Sequence, residues 1–167
     1  MSIDFNIVKC QTHSNKKNFG LCDDPPPAKN PAYIDEVDGA KWIAVVENED
    51  RYAATFTAID NCIEIKREDG TMDKRCDGIL TYNSTVIFVE LKERAASGVA
   101  WVKDAEKQLK TSIGYFEATD KAEKYKDKKA YIANKEHPKS KDSQMRRMDQ
   151  FFMDTGYVLR IVNRIGL

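Results

Sequence analysis

The feature that most constrains the fold is an unbroken apolar run at residues 86–89 (VIFV), which leads directly into Glu90, Leu91 and Lys92. Such a run is typical of a strand that is buried on both faces of a sheet. Alternation along a strand points the side chains of Glu90 and Lys92 to the same side. Because an unpaired buried charge is strongly unfavourable, we expect this carboxylate and this ammonium to meet partners, water or a metal ion.

The length and composition are those of an ordinary globular protein. A chain of 167 residues corresponds to about one domain, and 41% hydrophobic with 32% charged residues argue against a disordered or fibrous chain. No stretch approaches the roughly 18 consecutive apolar residues of a membrane span, and the first residues lack the apolar core of a signal peptide. We therefore expect a cytoplasmic protein that does not enter a membrane.

The net charge is zero, but the charges are unevenly distributed. Residues 1–90 hold 10 Lys and Arg against 16 Asp and Glu, whereas residues 91–150 hold 15 against 10. A basic half beside an acidic half is compatible with a positive face for a polyanion and an acidic pocket for a cation. Solvated lysine-rich helices explain the segment 120–130 (DKAEKYKDKKA) equally well, and both interpretations stay open.

Four cysteines are scattered along the chain, at positions 10, 22, 62 and 76. In a cytoplasmic protein we expect reduced thiols, most of them buried. A less favoured alternative is a zinc site with the spacing C-x2-H-x8-C, formed by Cys10, His13 and Cys22. Its fourth ligand would have to be Asp23.

Residues 1–30 are expected to form an irregular N-terminal arm, because the segment 23–27 (DDPPP) favours extended backbone and stops helices. Residues 31–167 are expected to form a single domain. At its start, residues 31–47 either begin as a helix or include a strand at 42–46 (WIAVV), and periodicity alone does not decide between the two.

The remaining elements predict a mixed α/β domain with a central sheet. Strand-like segments lie at residues 51–59, 62–65, 78–82, 85–91, 129–133 and 157–162, and helices are predicted at 99–116 and 143–154. In the second helix, Met145, Met148, Phe151 and Phe152 form a stripe that we expect to be core. Gly156 is well placed to end that helix.

The two strands at 78–82 and 85–91 are separated only by Asn83 and Ser84. If these form a two-residue turn, Asp77 lies directly opposite Glu90, with Cβ atoms about 4.5 to 5.5 Å apart. Lys92 is then the next residue on the same face. A slip of one residue would move Asp77 to the opposite face, and Asn-Ser is a weaker turn signal than Asn-Gly.

Two carboxylates that face each other destabilise a sheet unless something positive neutralises them. A divalent cation such as Mg²⁺ suits this role, because it prefers oxygen ligands and takes one or two carboxylates together with waters and substrate oxygens. Lys92 beside it would position or deprotonate a nucleophile and offset charge on a phosphate. The alternative is a purely structural ion pair of Lys92 with Glu90 or Asp77.

These residues resemble the PD-(D/E)xK, or restriction-endonuclease-like, superfamily of metal-dependent nucleases. In that family an Asp opens the second core strand, a Glu-x-Lys ends the third, and a helix follows. Cys76-Asp77 stands where the family often has Pro-Asp, and residues 90–92 match the second half. The combination of RCDGIL with VIFVELK is similar to uncharacterised bacterial members. The resemblance covers residues 59–133 and implies a restriction-endonuclease-like central mixed β-sheet flanked by helices.

The resemblance also implies a site. Asp77, Glu90 and the backbone carbonyl of Leu91 would hold Mg²⁺ or Mn²⁺, Lys92 would be the catalytic lysine, and Gln108 on the following helix would belong to the site. Members of the family carry one more acid on their first helix. The candidates in this chain are Glu47, Asp60 and Glu64, and none is preferred.

The function implied is a divalent-metal-dependent nuclease that hydrolyses phosphodiester bonds of nucleic acid, with DNA expected rather than RNA. Enzymes of restriction type usually cut two strands as dimers, so a homodimer is compatible with this function, but no residue pattern identifies an interface. The basic side chains expected to contact phosphates are Lys103, Lys107, Lys110, Arg146 and Arg147. Trp101 and Tyr115 could stack on bases, but packing within the protein is the favoured interpretation for both.

The alternative is a catalytically inactive protein with the same fold that binds or inhibits a protein partner. Its motivation is the pI of about 6.7, the small size and the lack of an added DNA-recognition domain.

Overall fold

The computed structural model describes residues 3–25, 27–92, 100–135 and 142–167. These residues form a mixed α/β structure with two mixed sheets and two α-helices. The strands are β1 Gln11–Ser14, β2 Asn18–Cys22, β3 Tyr33–Asp35, β4 Ala44–Glu47, β5 Ala54–Ala58, β6 Gly78–Tyr82, β7 Thr85–Lys92, β8 Asp127–Asn134, β9 Val158–Arg160 and β10 Arg164–Gly166. The helices are α1 Ala100–Glu117 and α2 Asp142–Thr155.

The larger sheet has six strands in the order β1-β5-β6-β7-β8-β9. Its first four strands pair antiparallel, and β7, β8 and β9 pair parallel. α1 connects β7 to β8, as the crossover between parallel neighbours requires. The predicted first residue of this helix, Val99, lies outside the described residues.

β7 lies inside the larger sheet and separates two hydrophobic cores. Seven of its eight residues are buried, so both of its faces need a covering layer. Val86 and Phe88 point into a core formed with α1. Ile87 and Val89 point the other way, into a core formed with the four-stranded sheet of order β10-β4-β2-β3. The molecule is therefore three layers deep around β7.

The β6–β7 hairpin has the predicted register. Tyr82 pairs with Thr85, and Gly78 pairs with Val89. At the turn, Asn83 adopts a φ of 47°, in the left-handed region that asparagine tolerates better than most residues. Continued by one residue, this ladder places Asp77 opposite Glu90, as the two-residue turn predicted.

The prediction of an irregular arm up to residue 30 differs from the structure, in which β1 and β2 lie in this segment. β1 pairs with β5 in the larger sheet, and β2 lies between β3 and β4 in the smaller one. Phe19 and Leu21 are fully buried in the second core. The strands escape prediction because they are short and their partners are distant in sequence.

The structure decides between the two possibilities for residues 31–47 and corrects the prediction for residues 62–65. Of the two possibilities for residues 31–47, the strand occurs, as β4, preceded by β3 and a short 3-10 turn at 39–41. The strand predicted at 62–65 is wrong: the chain turns after Asn61, which has a φ of 63°. Ile63 and Ile65 are nevertheless buried in the first core, so their apolar character reflects packing and not sheet pairing.

The expectation of four reduced thiols is wrong, because Cys10 and Cys62 form a disulfide. Pairing of β1 with β5 brings together the residue before β1 and the loop after β5. Cys22 and Cys76 are free and buried. The disulfide also removes Cys10 as a thiolate ligand, which rules out the less favoured alternative of a zinc site. Since disulfides are rare in cytosolic proteins, the bond counts against the cytoplasmic expectation.

The apolar stripe of α2 is only partly core. Phe151 is 1% exposed, whereas Met145 and Phe152 are 58% and 52% exposed. With Met148 they line an open groove of about 680 Å³ between α2 and β9. Gly156 ends the helix as predicted, with a φ of 79° and its N–H donating to Phe152 O at 2.7 Å. In the described ranges, neither helix has the length and apolar character needed to cross a membrane.

The close approach of β5 and β6 at Gly78 predicts a large cost for any side chain there. A Cβ on Gly78 would lie 2.7 Å from Thr57 O and even closer to the Phe56 ring. We therefore expect Gly78→Ala to destabilise the protein by about 1 to 3 kcal/mol. Gly114→Ala in α1 is the matched control, because a Cβ there meets nothing within 4 Å and should stabilise the helix by about 0.5 to 1 kcal/mol.

Urea denaturation of both variants measures these changes in the free energy of unfolding. Equal effects of the two substitutions would show that the strands around Gly78 move apart without cost.

Candidate functional site

The centre of the site is a pair of carboxylates, Asp77 and Glu90, that lie opposite each other at the end of the β6–β7 ladder. They are only 7% and 3% exposed. The N–H of Asp77 donates to Glu90 Oε1 at 3.2 Å, and the N–H of Leu91 donates to Asp77 Oδ2 at 2.6 Å. Each carboxylate therefore accepts a hydrogen bond from the backbone of the neighbouring strand.

Lys92 completes this group on the same face of β7. Its ammonium lies 3.0 Å from Glu90 Oε2, and its side chain is 29% exposed. Burial lowers the pKa of Lys92, but the attraction of Glu90 together with the charges of Asp77 and Asp104 outweighs burial, and the pKa lies above its usual value of 10.5. The side chain is thus a cation at neutral pH, positioned between a buried carboxylate and the solvent.

The backbone before β6 is held from two directions. On one side the N–H of Ile59 donates to Asp77 O at 2.9 Å, which extends the pairing with β5 beyond the strand. On the other side the N–H of Cys76 donates to Ser112 Oγ of α1 at 2.9 Å. The helix and the sheet thereby fix the position from which the Asp77 side chain projects.

Two buried carboxyl groups that face each other do not both ionise readily. Burial raises the pKa of Asp77 well above its usual 3.8, and the charge of Glu90 adds to the shift. Burial also raises the pKa of Glu90, although Lys92 lowers it in part. The repulsion between the two carboxylates favours a proton on one of them. A bound cation would take the place of that proton.

A third carboxyl group, Asp23, belongs to this cluster, although the sequence suggested it only as a zinc ligand. It follows β2 of the smaller sheet and lies close enough to Asp77 for the two carboxyl groups to interact electrostatically. Burial, then the charges of Asp77 and Asp60, raise the pKa of Asp23 to about 7. In the sequence, Asp23 is recognisable only as an acidic residue directly after a short apolar segment. That pattern is too common to identify Asp23 as a site residue.

Of the three candidates for the additional acid, Asp60 is the one whose charge contributes to the raised pKa of Asp77. Its carboxylate also pairs with Arg75 at 3.2 Å. Glu47 lies on β4 of the smaller sheet and pairs with Arg164 at 3.8 Å. Glu64 is exposed and lies 3.5 Å from Lys66. Asp60 is therefore the candidate for the additional acid that the structure favours over Glu47 and Glu64.

Gln108 lies on α1, one turn before Ser112, on the flank of the helix that contacts Cys76. Its Oε1 atom is buried and accepts no hydrogen bond from the residues that the structure describes. A buried oxygen without a donor is unusual in a folded protein. Such an atom fits a position where a water molecule, a ligand or a substrate group provides the donor.

The basic and aromatic residues predicted to contact nucleic acid are only partly available. Lys110 pairs with Asp154 and Arg147 pairs with Glu106, at 2.8 and 3.0 Å. The Tyr115 hydroxyl donates to Asp73 at 2.7 Å, and Trp101 packs against the first core. Three side chains are left exposed or partly exposed without such pairs: Lys103, Lys107 and Arg146.

The donor set at the site is suited to a hard cation. Asp77, Glu90 and the carbonyl of Leu91 offer oxygen atoms only, which is what Mg²⁺ and Mn²⁺ prefer. Within the described ranges, no three His, Cys, Asp or Glu side chains are already arranged around a common point as a metal site. The two carboxylates therefore fit a cation that takes few protein ligands and completes its shell with water and substrate.

Asp23→Asn is expected to change the pH dependence of stability. Since the pKa of Asp23 rises from 3.8 to about 7 on folding, a proton there favours the folded state. That contribution is complete below about pH 4 and is lost as the pH rises through about 7. Asn has no proton to lose, so the free energy of unfolding of the variant relative to wild type should increase from about pH 4 to about pH 7.

Urea denaturation of metal-free protein across this pH range measures the difference. Asp149→Asn is the matched control, because Asp149 is an exposed carboxylate of α2 with no ion pair among the described residues. A difference that does not vary with pH, or that the control reproduces, would contradict the interaction of Asp23 with the pair.

Comparison with known proteins adds no relative to this picture. No family model matches the chain, and no curated protein and no solved structure matches it. The function of the site therefore has to be inferred from its geometry and its chemistry.

Proposed function

We propose that this protein is a divalent-metal-dependent nuclease with a restriction-endonuclease-like fold of the PD-(D/E)xK type. It would hydrolyse phosphodiester bonds of nucleic acid, DNA rather than RNA, with Mg²⁺ or Mn²⁺ as cofactor. The observation that carries the proposal is the arrangement of Asp77 and Glu90, buried and face to face, with Lys92 beside Glu90. A buried pair of like charges needs a compensating cation.

The wider context supports the same conclusion. Asp77 directly precedes β6, residues 90–92 end β7, and α1 is the next described element. This is the order of elements that the family motif requires. Cys76 stands in place of the usual proline, and its N–H donates to Ser112 Oγ. Proline has no N–H, so the departure from the motif is compensated by a bond that ties α1 to the site.

In this proposal Asp77, Glu90 and the carbonyl of Leu91 hold the metal ion. The bound ion would neutralise the carboxylates, polarise the phosphate and lower the pKa of a water molecule. Because a protonated carboxyl group must lose its proton before it binds the metal ion, metal affinity should increase with pH.

Lys92 acts as a cation in this mechanism. Its pKa is raised and not lowered, so it does not serve as a general base in the free protein. Its ammonium is positioned to stabilise negative charge that develops on the phosphate. Glu90 keeps that ammonium in place at 3.0 Å.

A second function has support from two observations. The network of Asp77, Glu90, Leu91 and Lys92 is already satisfied within the chain, as a structural ion pair would be. The apolar residues exposed on α2 are of the kind that mark a surface for another protein. A catalytically inactive binding or inhibitor protein would combine these two features.

Cleavage of plasmid and linear DNA, and of RNA, with Mg²⁺ or Mn²⁺ tests the proposal. We expect Asp77→Asn to abolish cleavage, and Lys92→Ala to lower kcat by about 100-fold because it removes a cation from the reacting phosphate. Lys66→Ala is the matched control, since Lys66 is an exposed lysine paired with the exposed Glu64.

Calorimetric titration of Mn²⁺ into wild type and Asp77→Asn separates the two functions. Binding that Asp77→Asn removes supports the nuclease. Undiminished cleavage by Lys92→Ala, or cleavage in the presence of a chelator, would refute the proposed mechanism. No metal binding and no cleavage, together with a stable complex with another protein, would favour the inactive binding protein.

A further inference from the structure

A second cavity lies at the other end of β6 from Asp77. It has a volume of about 200 Å³ and lies between β5, β6, the start of the chain and the 3-10 turn at residues 120–124. Thr55 and Thr81, a directly paired couple on β5 and β6, line it together with Thr57. Lys121 and Lys124 approach it from the turn.

Thr57 is the residue that makes this cavity unusual. It is only 4% exposed, and its hydroxyl forms no hydrogen bond with any residue that the structure describes. By contrast, the Thr81 hydroxyl reaches Thr55 O at 3.4 Å. Since the Thr57 hydroxyl has no partner among the described residues and is not sealed off from solvent, it is available to a group inside the cavity.

The charge around the cavity has one sign. The described residues that line it include two lysines and no Asp or Glu. Lys121 has only a long contact of 3.9 Å with Asp4, between two exposed side chains, and contacts of this kind contribute little. The Lys124 ammonium lies 5.2 Å from the centre of the Tyr125 ring and has no ion pair in the described part of the chain. Both ammonium groups are free to bind an anion.

We propose that this cavity binds a phosphate group, either as the free ion or as a monoester. Ammonium groups are donors only, and a hydroxyl can donate as well, so the lining matches an acceptor with several oxygens. At about 30 Å³ for each water molecule, the cavity has room for six to seven waters, about 200 Å³ in all. That exceeds the needs of a bare phosphate and leaves space for the first atoms of an ester.

Titration of inorganic phosphate into the metal-free protein, followed by calorimetry, tests the inference. Saturable binding in about the millimolar range is expected. Thr57→Val, which keeps the shape of the side chain and removes the hydroxyl, and Lys124→Gln should each weaken binding about tenfold. Lys126→Gln is the matched control, because Lys126 is exposed and does not line the cavity.

Three results would overturn the inference: no saturable binding by the wild type, unchanged binding by both cavity variants, or an equal loss in the Lys126 control. Lys124 is exposed, so its replacement tests the site even if Thr57→Val does not fold. The measurement needs neither metal nor cleavage, so its failure is distinguishable from failure of the proposed nuclease.

Two oligonucleotides that differ only in a 5′-phosphate identify the source of the group. Tighter binding of the phosphorylated one, abolished in Lys124→Gln, assigns the cavity to a nucleic-acid end. Equal binding of both, with binding of inorganic phosphate retained, assigns it to a free phosphate or a small monoester.

Discussion

Burial of β7 on both faces is the constraint on which the rest of the structure depends. A strand with seven buried residues of eight must lie inside a sheet and have a layer on each side. α1 supplies one layer through Leu109 and Ile113, which pack in the same core as Phe88. The four-stranded sheet supplies the other layer around Ile87. The N-terminal strands are therefore needed to complete the fold, because without them one face of β7 would be exposed.

The same strand explains the chemistry at its end. Glu90 is buried because β7 continues into the interior, and the hairpin brings Asp77 opposite to it. The carboxylates are stabilised by the N–H of Leu91 and by the ammonium of Lys92, but like charges still oppose each other. The raised pKa values of both carboxyl groups favour a proton on one of them, which relieves that repulsion, and in the proposed function a divalent cation takes its place. Selection for such an unfavourable pair is easier to understand at a functional site than in a purely structural one.

Contacts between residues that are close in sequence could be predicted, and contacts between distant residues could not. The pairing of Asp77 with Glu90 followed from a turn of two residues and strict alternation. The interaction of Asp23 with Asp77 did not, because it joins residues in two different sheets. Phe151 in α2 is core as predicted, but Phe152 is exposed, since the width of the buried face depends on what packs against the helix.

The sequence by itself determined the elements around the site: the β6–β7 register, the α1 helix after it, and the placement of Glu90 and Lys92 on one face. These features are set by side-chain periodicity and turn length, which act over a few residues. Only the tertiary structure decided that β1 and β2 join the two sheets, that Cys10 bonds to Cys62, and that Asp23 meets Asp77. Such contacts depend on how whole layers pack, and short apolar segments can satisfy that packing in many alternative ways.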